Sequence, residues 1–312
     1  MTNTSNTLSR RKVGKSIAIE AGKALNKDKT VFLLPVLSFV AHIVVAVIAL
    51  IAWILAIPFM ATNSNGTNIV DVSIGIIVYI LFAFINVGTQ AAVMTMANET
   101  FEGKNPSISS SIGNVFKHAR SLSGLAVLEG TVGLLLRALQ NAARDNAILR
   151  IVTSVISFIA GLVWAVATYF AIPFIIFNGE TTFESIKKSA ALIKSKWGAA
   201  LRVNVAVGAL VTLGMLLSFG GLVGGVFVLL NGIGSDTIAA NQTQIITGSG
   251  LLIGSVLLLI VLILVNSTLM AYVRVALFRY ATGQSLPGFD TSNLDQAFVT
   301  SKASKFGFGR SN

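Results

Sequence analysis

The 312-residue chain is 54% hydrophobic and only 11% charged, with a mean hydropathy of +0.80, whereas soluble domains carry about 25% charged residues. That composition excludes a water-soluble fold. The 23 Lys and Arg outnumber the 12 Asp and Glu, but they sit in clusters separated by long uncharged runs, so the basic balance points to a membrane and not to nucleic acid.

Residues 1–30 are polar and basic and lack the short apolar core and cleavage site of a secretory signal. Within them Val13, Ile17, Ala21, Ala24 and Leu25 share one helical face, away from Lys12, Lys15, Glu20 and Lys23. The segment is predicted to be a helix lying on the membrane surface. A span takes roughly 20 mainly apolar residues, and the uncharged runs predict spans at about 31–60, 72–98, 151–179, 203–231 and 248–277. The polar stretches Thr62–Asn68 and Asn231–Thr247 read as loops. A further segment, about 121–140, carries Glu129 in its middle and Arg137 near its end. Its nine Leu and Val residues contribute about −4.5 kcal/mol to insertion, against roughly +3 for the central acid.

Charge bias settles that close balance. With this segment inserted and the N-terminus inside, 20 Lys and Arg fall on the cytoplasmic side, and only Arg137, Arg144 and Arg150 fall outside. Without it the distribution becomes 13 against 10, too even to orient the chain. The prediction is an all-α, polytopic membrane helix bundle of six transmembrane helices in the cytoplasmic (cell) membrane. Residues 31–281 form the transmembrane domain, 282–312 form a cytoplasmic tail, and both termini are cytoplasmic.

Phe183, Ile186, Ala190, Ile193 and Trp197 recur at helical spacing, with Lys187, Lys188, Lys194 and Lys196 off their line. Ile108, Ile112, Val115, Phe116 and Ala119 repeat the pattern, and Leu294, Ala297 and Phe298 follow the last span in a related way. Glu99-Thr-Phe-Glu102 after the second span also resembles Glu180-Thr-Thr-Phe-Glu184 after the fourth. These similarities predict three hairpins, each followed by an amphipathic cytoplasmic helix. Lys187, Lys188, Lys194 and Lys196 are the candidate contacts for anionic lipid headgroups, at about 1 kcal/mol per basic residue. The same charges also serve to orient the chain, which is reason enough for their presence.

Little here suggests chemistry. The chain has no Cys, which removes thiolate catalysis and Cys-based metal sites. His42 and His118 stand 76 residues apart and match no zinc spacing. Phosphate-cradling loops and nucleophile elbows are missing as well. The expectation is therefore a non-enzymatic protein with no catalytic residue, metal or cofactor.

An acid inside a span is costly unless paired, so Glu129 is the centre of the one candidate polar site. Asn86, Gln90 and Asn266 are its candidate neighbours, with Arg137 two turns along the same helix. Arg274 counts as the first of the cytoplasmic C-terminal charges, which leaves the acid without a cation at its depth. A Glu held by interhelical hydrogen bonds is then the simpler account. Gly220, Gly221, Gly224 and Gly225 make overlapping GxxxG patterns, and Gly250 with Gly254 makes another. Packing within the chain is their expected use, with a homo-oligomer contact as the alternative. His42 reads as a hydrogen-bonded structural residue, and Pro58 and Pro173 as kinks or ends of helices.

Three stretches carry a resemblance: Asp28-Lys-Thr-Val-Phe-Leu-Leu-Pro35-Val-Leu-Ser38; Tyr169-Phe-Ala-Ile-Pro173 running on to Glu180, Ser185, Ser189 and Lys196-Trp197; and Leu277-Phe-Arg-Tyr-Ala281-Thr-Gly283 with Pro287, Phe289 and Ala297-Phe298. They resemble an uncharacterised family of six-helix prokaryotic integral membrane proteins. More distantly, the chain is similar to the membrane domain fused to some glycerophosphodiester phosphodiesterases. The resemblance implies a six-helix membrane protein and supplies no catalytic residues. The expected activity is contact with lipid or a partner, the alternative being a small-solute or ion permease built around Glu129.

Overall fold

The computed structural model describes residues 19–26, 29–57, 69–143, 146–196, 203–233 and 238–286. Among them every regular element is helical. A short helix α1 (19–26) precedes a 3-10 turn at Lys29–Phe32. Long helices follow: α2 (Leu33–Ala56), α3 (Ile69–Phe101), α5 (Ala119–Asn141), α6 (Ala147–Ala167), α9 (Val203–Ile233) and α10 (Ile238–Ala281), with the shorter α4 (Ile108–Lys117), α7 (Ala171–Asn178) and α8 (Thr182–Lys196) between them. Six helical stretches, Lys29–Ala56, Ile69–Phe101, Ala119–Asn141, Ala147–Asn178, Val211–Ile233 and Asn241–Ala281, are long and apolar enough to cross a membrane. By length and composition this is the make-up of a multi-pass membrane protein. Val13, Ile17, Pro58, Trp197, Leu294, Ala297 and Phe298 lie outside the described residues.

The chain divides into two compact units, one of residues 1–22, 198–270 and 290–312, the other of 23–197 and 271–289, so that α10 contributes to both. In the first unit α9 packs antiparallel to the N-terminal part of α10 along a seam of small residues. A Cβ on Gly221 would stand 2.1 Å from Ser255 Oγ, one on Gly225 2.9 Å from Leu252, and one on Gly248 2.7 Å from the backbone nitrogen of Leu229. Only glycine lets the backbones come this close, gaining dispersion where lipid supplies no hydrophobic drive between helices. Gly220, Gly224, Gly250 and Gly254 meet nothing within 4 Å. The expected packing within the chain thus uses Gly221 and Gly225 with Gly248, and the Gly250–Gly254 pair faces away from the seam.

In the second unit α2 and α3 run antiparallel. The His42 ring stands edge-on to Phe82 at 4.8 Å, and Trp53 Nε1 donates to Asp71 Oδ1 at 2.7 Å. His42 Nδ1 donates to the Ser38 carbonyl at 2.7 Å, a helix-internal role. Along its first half α3 exposes Ile69, Val72, Ile76, Ile77 and Leu81, whereas its second half buries Val87, Ala91, Val93, Met94, Met96 and Phe101. The small alanines there let α3 sit close to its neighbours. The C-terminal turns of α10 are equally buried: Phe278 is surrounded by Phe170, Phe174 and Phe177 at centroid distances of 5.8, 5.0 and 5.8 Å. Phe101 stacks edge-on against Tyr272 at 5.8 Å.

One interruption matters for the site. Pro173 has no N–H and its ring would collide with the carbonyl of Tyr169 in a continuous helix, so α6 ends at Ala167 and α7 restarts at Ala171 with the proline in its first turn. The N–H of Phe170, released by the break, donates to Ser189 Oγ of α8 at 2.9 Å. That bond joins α8 to the break through its serine side: Ser185 and Ser189 are fully buried, Ile193 is buried, and Phe183, on the expected apolar line, is 73% exposed.

Gly103, Gly179 and Gly283, which follow α3, α7 and α10, all take φ between +70° and +76°. This left-handed conformation favours glycine and closes helix C-termini. Lys104 N–H bonds to the Glu99 carbonyl and Gln284 N–H to that of Arg279 in the same Schellman arrangement, while Glu180 N–H reaches one residue further back, to Phe174.

Candidate functional site

Glu129 is the eleventh residue of α5, about 15 Å along the helix from its start. Beside it, Gly130 and Gly133 leave room for the ring of Tyr79: a Cβ on Gly133 would stand 2.6 Å from the Tyr79 hydroxyl. On its other side opens a cleft of about 350 Å³, lined by Glu129, Gln90, Arg274, Trp164, Thr168 and Tyr169 together with apolar groups of α5, α6 and α7. The volume lies at the lower end of the ~300–1,000 Å³ found for ligand sites.

The cleft owes its polar wall to three local features. Gln90 is carried on the small-residue half of α3. Tyr169 and Thr168 stand in the break between α6 and α7 that Pro173 enforces. Arg274 comes from α10, whose apolar continuation Val275-Ala-Leu-Phe278 carries the helix onward to Ala281.

The arginine is held in place from two sides. Its Nη1 donates to Gln90 Oε1 at 3.2 Å, and its guanidinium carbon lies 4.8 Å from the centre of the Tyr169 ring, a cation–π contact. Its Nε is buried without a hydrogen-bond partner. Glu129 faces the same cleft without a salt bridge to Arg274 or a hydrogen bond to any described residue. The acid and the guanidinium thus line one cavity without a direct salt bridge.

Of the residues expected around Glu129, the structure brings Gln90 to the cleft. Asn86 does not line it: the side chain is exposed and its Nδ2 donates to the Phe82 carbonyl one turn back at 3.1 Å. Asn266 belongs to the other compact unit. Arg137 is exposed and forms no ion pair among the described residues. Arg274, counted by sequence among the cytoplasmic charges and not among the neighbours of the acid, lines the same cleft as Glu129. The signal that could have found it is the helix that continues for seven residues beyond it, beginning with the uncharged apolar run Val275-Ala-Leu-Phe278.

Lysines of α8 are arranged unequally. Lys187 pairs with Glu184 at 3.9 Å, and Lys188 pairs with Glu180. Lys194 is exposed and makes no ion pair among the described residues, and Lys196 closes the helix.

A second charged cluster, on Arg279, fastens α10 to the end of α3. Arg279 is 5% exposed. Its Nη1 donates to Asn98 Oδ1 at 2.6 Å and to Glu102 Oε1 at 3.2 Å, and its Nε and Nη2 donate to the Ser285 carbonyl at 3.0 and 2.9 Å. Lys104 lies 2.6 Å from Glu102. The Lys104 ammonium, helped by Arg279 and Asn98 and opposed by burial, holds the Glu102 carboxyl below the usual carboxylate range. Among the described residues no group of three or more His, Asp or Glu is placed to hold a metal ion.

No curated protein and no solved structure matches the chain, and no match links it to the membrane domain of the glycerophosphodiester phosphodiesterases. Residues 69–288, which include every lining residue of the cleft, match the model of a family of unknown function (DUF6159), and the chain belongs to that family.

Proposed function

We propose that this chain is a non-enzymatic protein of the cytoplasmic membrane that admits a small polar solute to the cleft between α3, α5, α6 and α10, and so acts as a small-solute permease. The observation that carries this reading is the pair Glu129 and Arg274, opposite charges facing one 350 Å³ cavity without contact. Charges inside a membrane domain are costly and mark solute pathways. The reading includes three helical hairpins with both termini cytoplasmic, which is supported by the 19 Lys and Arg that then fall on one side apart from Arg274 in the cleft.

The test is uptake into proteoliposomes, screened with labelled amino acids, carboxylates, amines and inorganic ions. Glu129→Gln is expected to keep its thermal stability while abolishing the flux found for the unaltered protein. Unchanged flux in that variant, or no flux of any solute in the panel, would sink the permease reading.

A second role, contact with anionic lipid, is supported by Phe116 and Phe183. These are 68% and 73% exposed on the short helices α4 and α8, beside Lys117 and Lys187. Exposed aromatics with neighbouring cations suit the headgroup boundary. Lys187 and Lys188 already have acidic partners and Lys194 has none among the described residues, so the Lys194–Lys196 end of the helix is expected to contribute most. Vesicle binding by the 180–198 peptide tests this: replacing Lys194 and Lys196 with Gln should weaken binding to anionic vesicles more than replacing Lys187 and Lys188. Equal binding of the unaltered peptide to neutral vesicles would remove the electrostatic part.

A further inference from the structure

We infer that the cleft takes a zwitterion, a small molecule carrying an ammonium and a carboxylate or phosphate a few bonds apart, with its anionic group on Arg274 and its ammonium on Glu129. The inference rests on the reading of the cleft as a solute site and specifies the class of solute. Three observations carry it.

The first is the state of Arg274. Among the described residues it makes one hydrogen bond, that from Nη1 to Gln90, and one face of the guanidinium is occupied by Tyr169. Its other donors have no partner among the described residues, and of these Nε is itself buried. A guanidinium fixed at one corner and stacked on one face presents a planar fork, the geometry that matches a carboxylate or phosphate bidentately.

The second is Glu129, which lines the same cavity and makes no hydrogen bond or ion pair to any described residue. A carboxylate there accepts an ammonium, and Trp164 and Tyr169 in the same wall add aromatic faces that attract a cation.

The third is charge balance. Burying one charge without its partner is strongly unfavourable. A simple anion would satisfy Arg274 and leave Glu129 bare, and a simple amine would do the reverse. A zwitterion neutralises both ends at once, and 350 Å³ leaves space for a solute with a short side chain against Val132, Leu136 and Ile172. Two sources offer this chemistry: a free neutral amino acid, and the headgroup of a zwitterionic lipid such as phosphatidylethanolamine.

The experiment uses the full chain, delipidated in a detergent with an uncharged sugar headgroup, and reads ligand-induced thermal stabilisation. The probes are alanine, propionate, ethylamine, phosphatidylethanolamine and phosphatidylglycerol. Stabilisation by alanine, with propionate and ethylamine weaker on the order of tenfold or more, supports a free amino acid. Stabilisation by phosphatidylethanolamine but not phosphatidylglycerol supports the lipid headgroup. Propionate or phosphatidylglycerol matching the zwitterions would overturn the inference in favour of an anion site, and ethylamine matching alanine would overturn it in favour of a cation site. Both of those results leave the solute-site reading standing. No response to any of the five probes overturns the inference; glycerol, urea and inorganic salts in the same assay then decide whether the broader reading survives. Arg274→Lys and Glu129→Gln, each checked for an unchanged unfolding temperature without ligand, are expected to lose discrimination against ethylamine and propionate respectively. Should either variant fail to fold, the comparison among probes on the unaltered protein decides alone.

Discussion

At the residue scale, the two arginines of α10 show how one charge type serves two ends. Arg274 is held so that it keeps donors unused, whereas Arg279 spends its donors on Asn98, Glu102 and the Ser285 carbonyl. Lysine cannot reach both sides of that network with a single ammonium. Arg279→Lys is therefore expected to destabilise the protein by about 3 kcal/mol, seen as a lower unfolding temperature in detergent; a loss no larger than that of an exposed substitution would show that the network does not hold α10 to α3. The same network makes stability depend on pH. The Glu102 carboxyl, lowered chiefly by Lys104, contributes stability that is fully present above its ordinary value of 4.5 and disappears as pH falls through its lowered value. The unfolding temperature should accordingly drop below pH about 4.5, and Glu102→Gln should remove part of that dependence; an identical acid profile in the variant would assign the loss elsewhere. Sequence reading could single out Glu129 because an acid breaks an otherwise apolar run. Neither arginine could be singled out that way, because each sits near the end of a span, where positive charge is already explained by orientation.

At the element scale, the spans are legible in the sequence because insertion depends on summed apolar content, which needs no knowledge of partners. Helix rotation is different, since every residue of a lipid-facing helix is apolar and periodicity carries little information about which side meets another helix. The glycine pattern illustrates this. Gly221 and Gly225 enter the α9–α10 seam while Gly220 and Gly224, one residue away, do not. The seam predicts a sharp contrast on α10. Gly248→Leu would push a side chain to 2.7 Å from backbone of Leu229, which can yield only if the helices separate, at a cost of about 1–3 kcal/mol. A Cβ at position 250 meets nothing within 4 Å, so Gly250→Leu should stay within about 0.5 kcal/mol of the unaltered protein. Equal effects of the two on thermal unfolding would contradict this register. The buried side of α8 is only partly legible for a related reason: Ile193 of the apolar line is buried, but the most buried positions are Ser185 and Ser189, small polar groups outside any apolar periodicity. Pro173 did announce a break, but the partner that satisfies the released Phe170 N–H could not be read from spacing alone.

At the scale of the whole molecule, the side of the membrane on which each charge lies turns on one helix. The weakest of the six candidate spans is α5, because it carries Glu129, and everything after it changes sides if it fails to cross. The chain has no cysteine, so single cysteines can be introduced without background and their sidedness read with a membrane-impermeant maleimide. Asn105, Gln140 and Gln284 are all exposed and stand after α3, at the end of α5 and after α10. With six spans and a cytoplasmic N-terminus, Gln140→Cys is expected to react on intact cells, whereas Asn105→Cys and Gln284→Cys should react only after permeabilisation. If α5 lay on the surface, Gln140 would be shielded together with Asn105, and Gln284 would become reachable from outside. The cost of holding Glu129 within the bilayer favours that alternative, and the strong bias of Lys and Arg that only a crossing α5 would give opposes it. Arg274 tips the balance further. A carboxylate that shares its cleft with a guanidinium is less costly to hold than one alone in hydrocarbon, so Arg274→Gln should increase the fraction of chains in which Gln140→Cys is shielded, while Arg137→Gln, which alters a residue outside the cleft, should not.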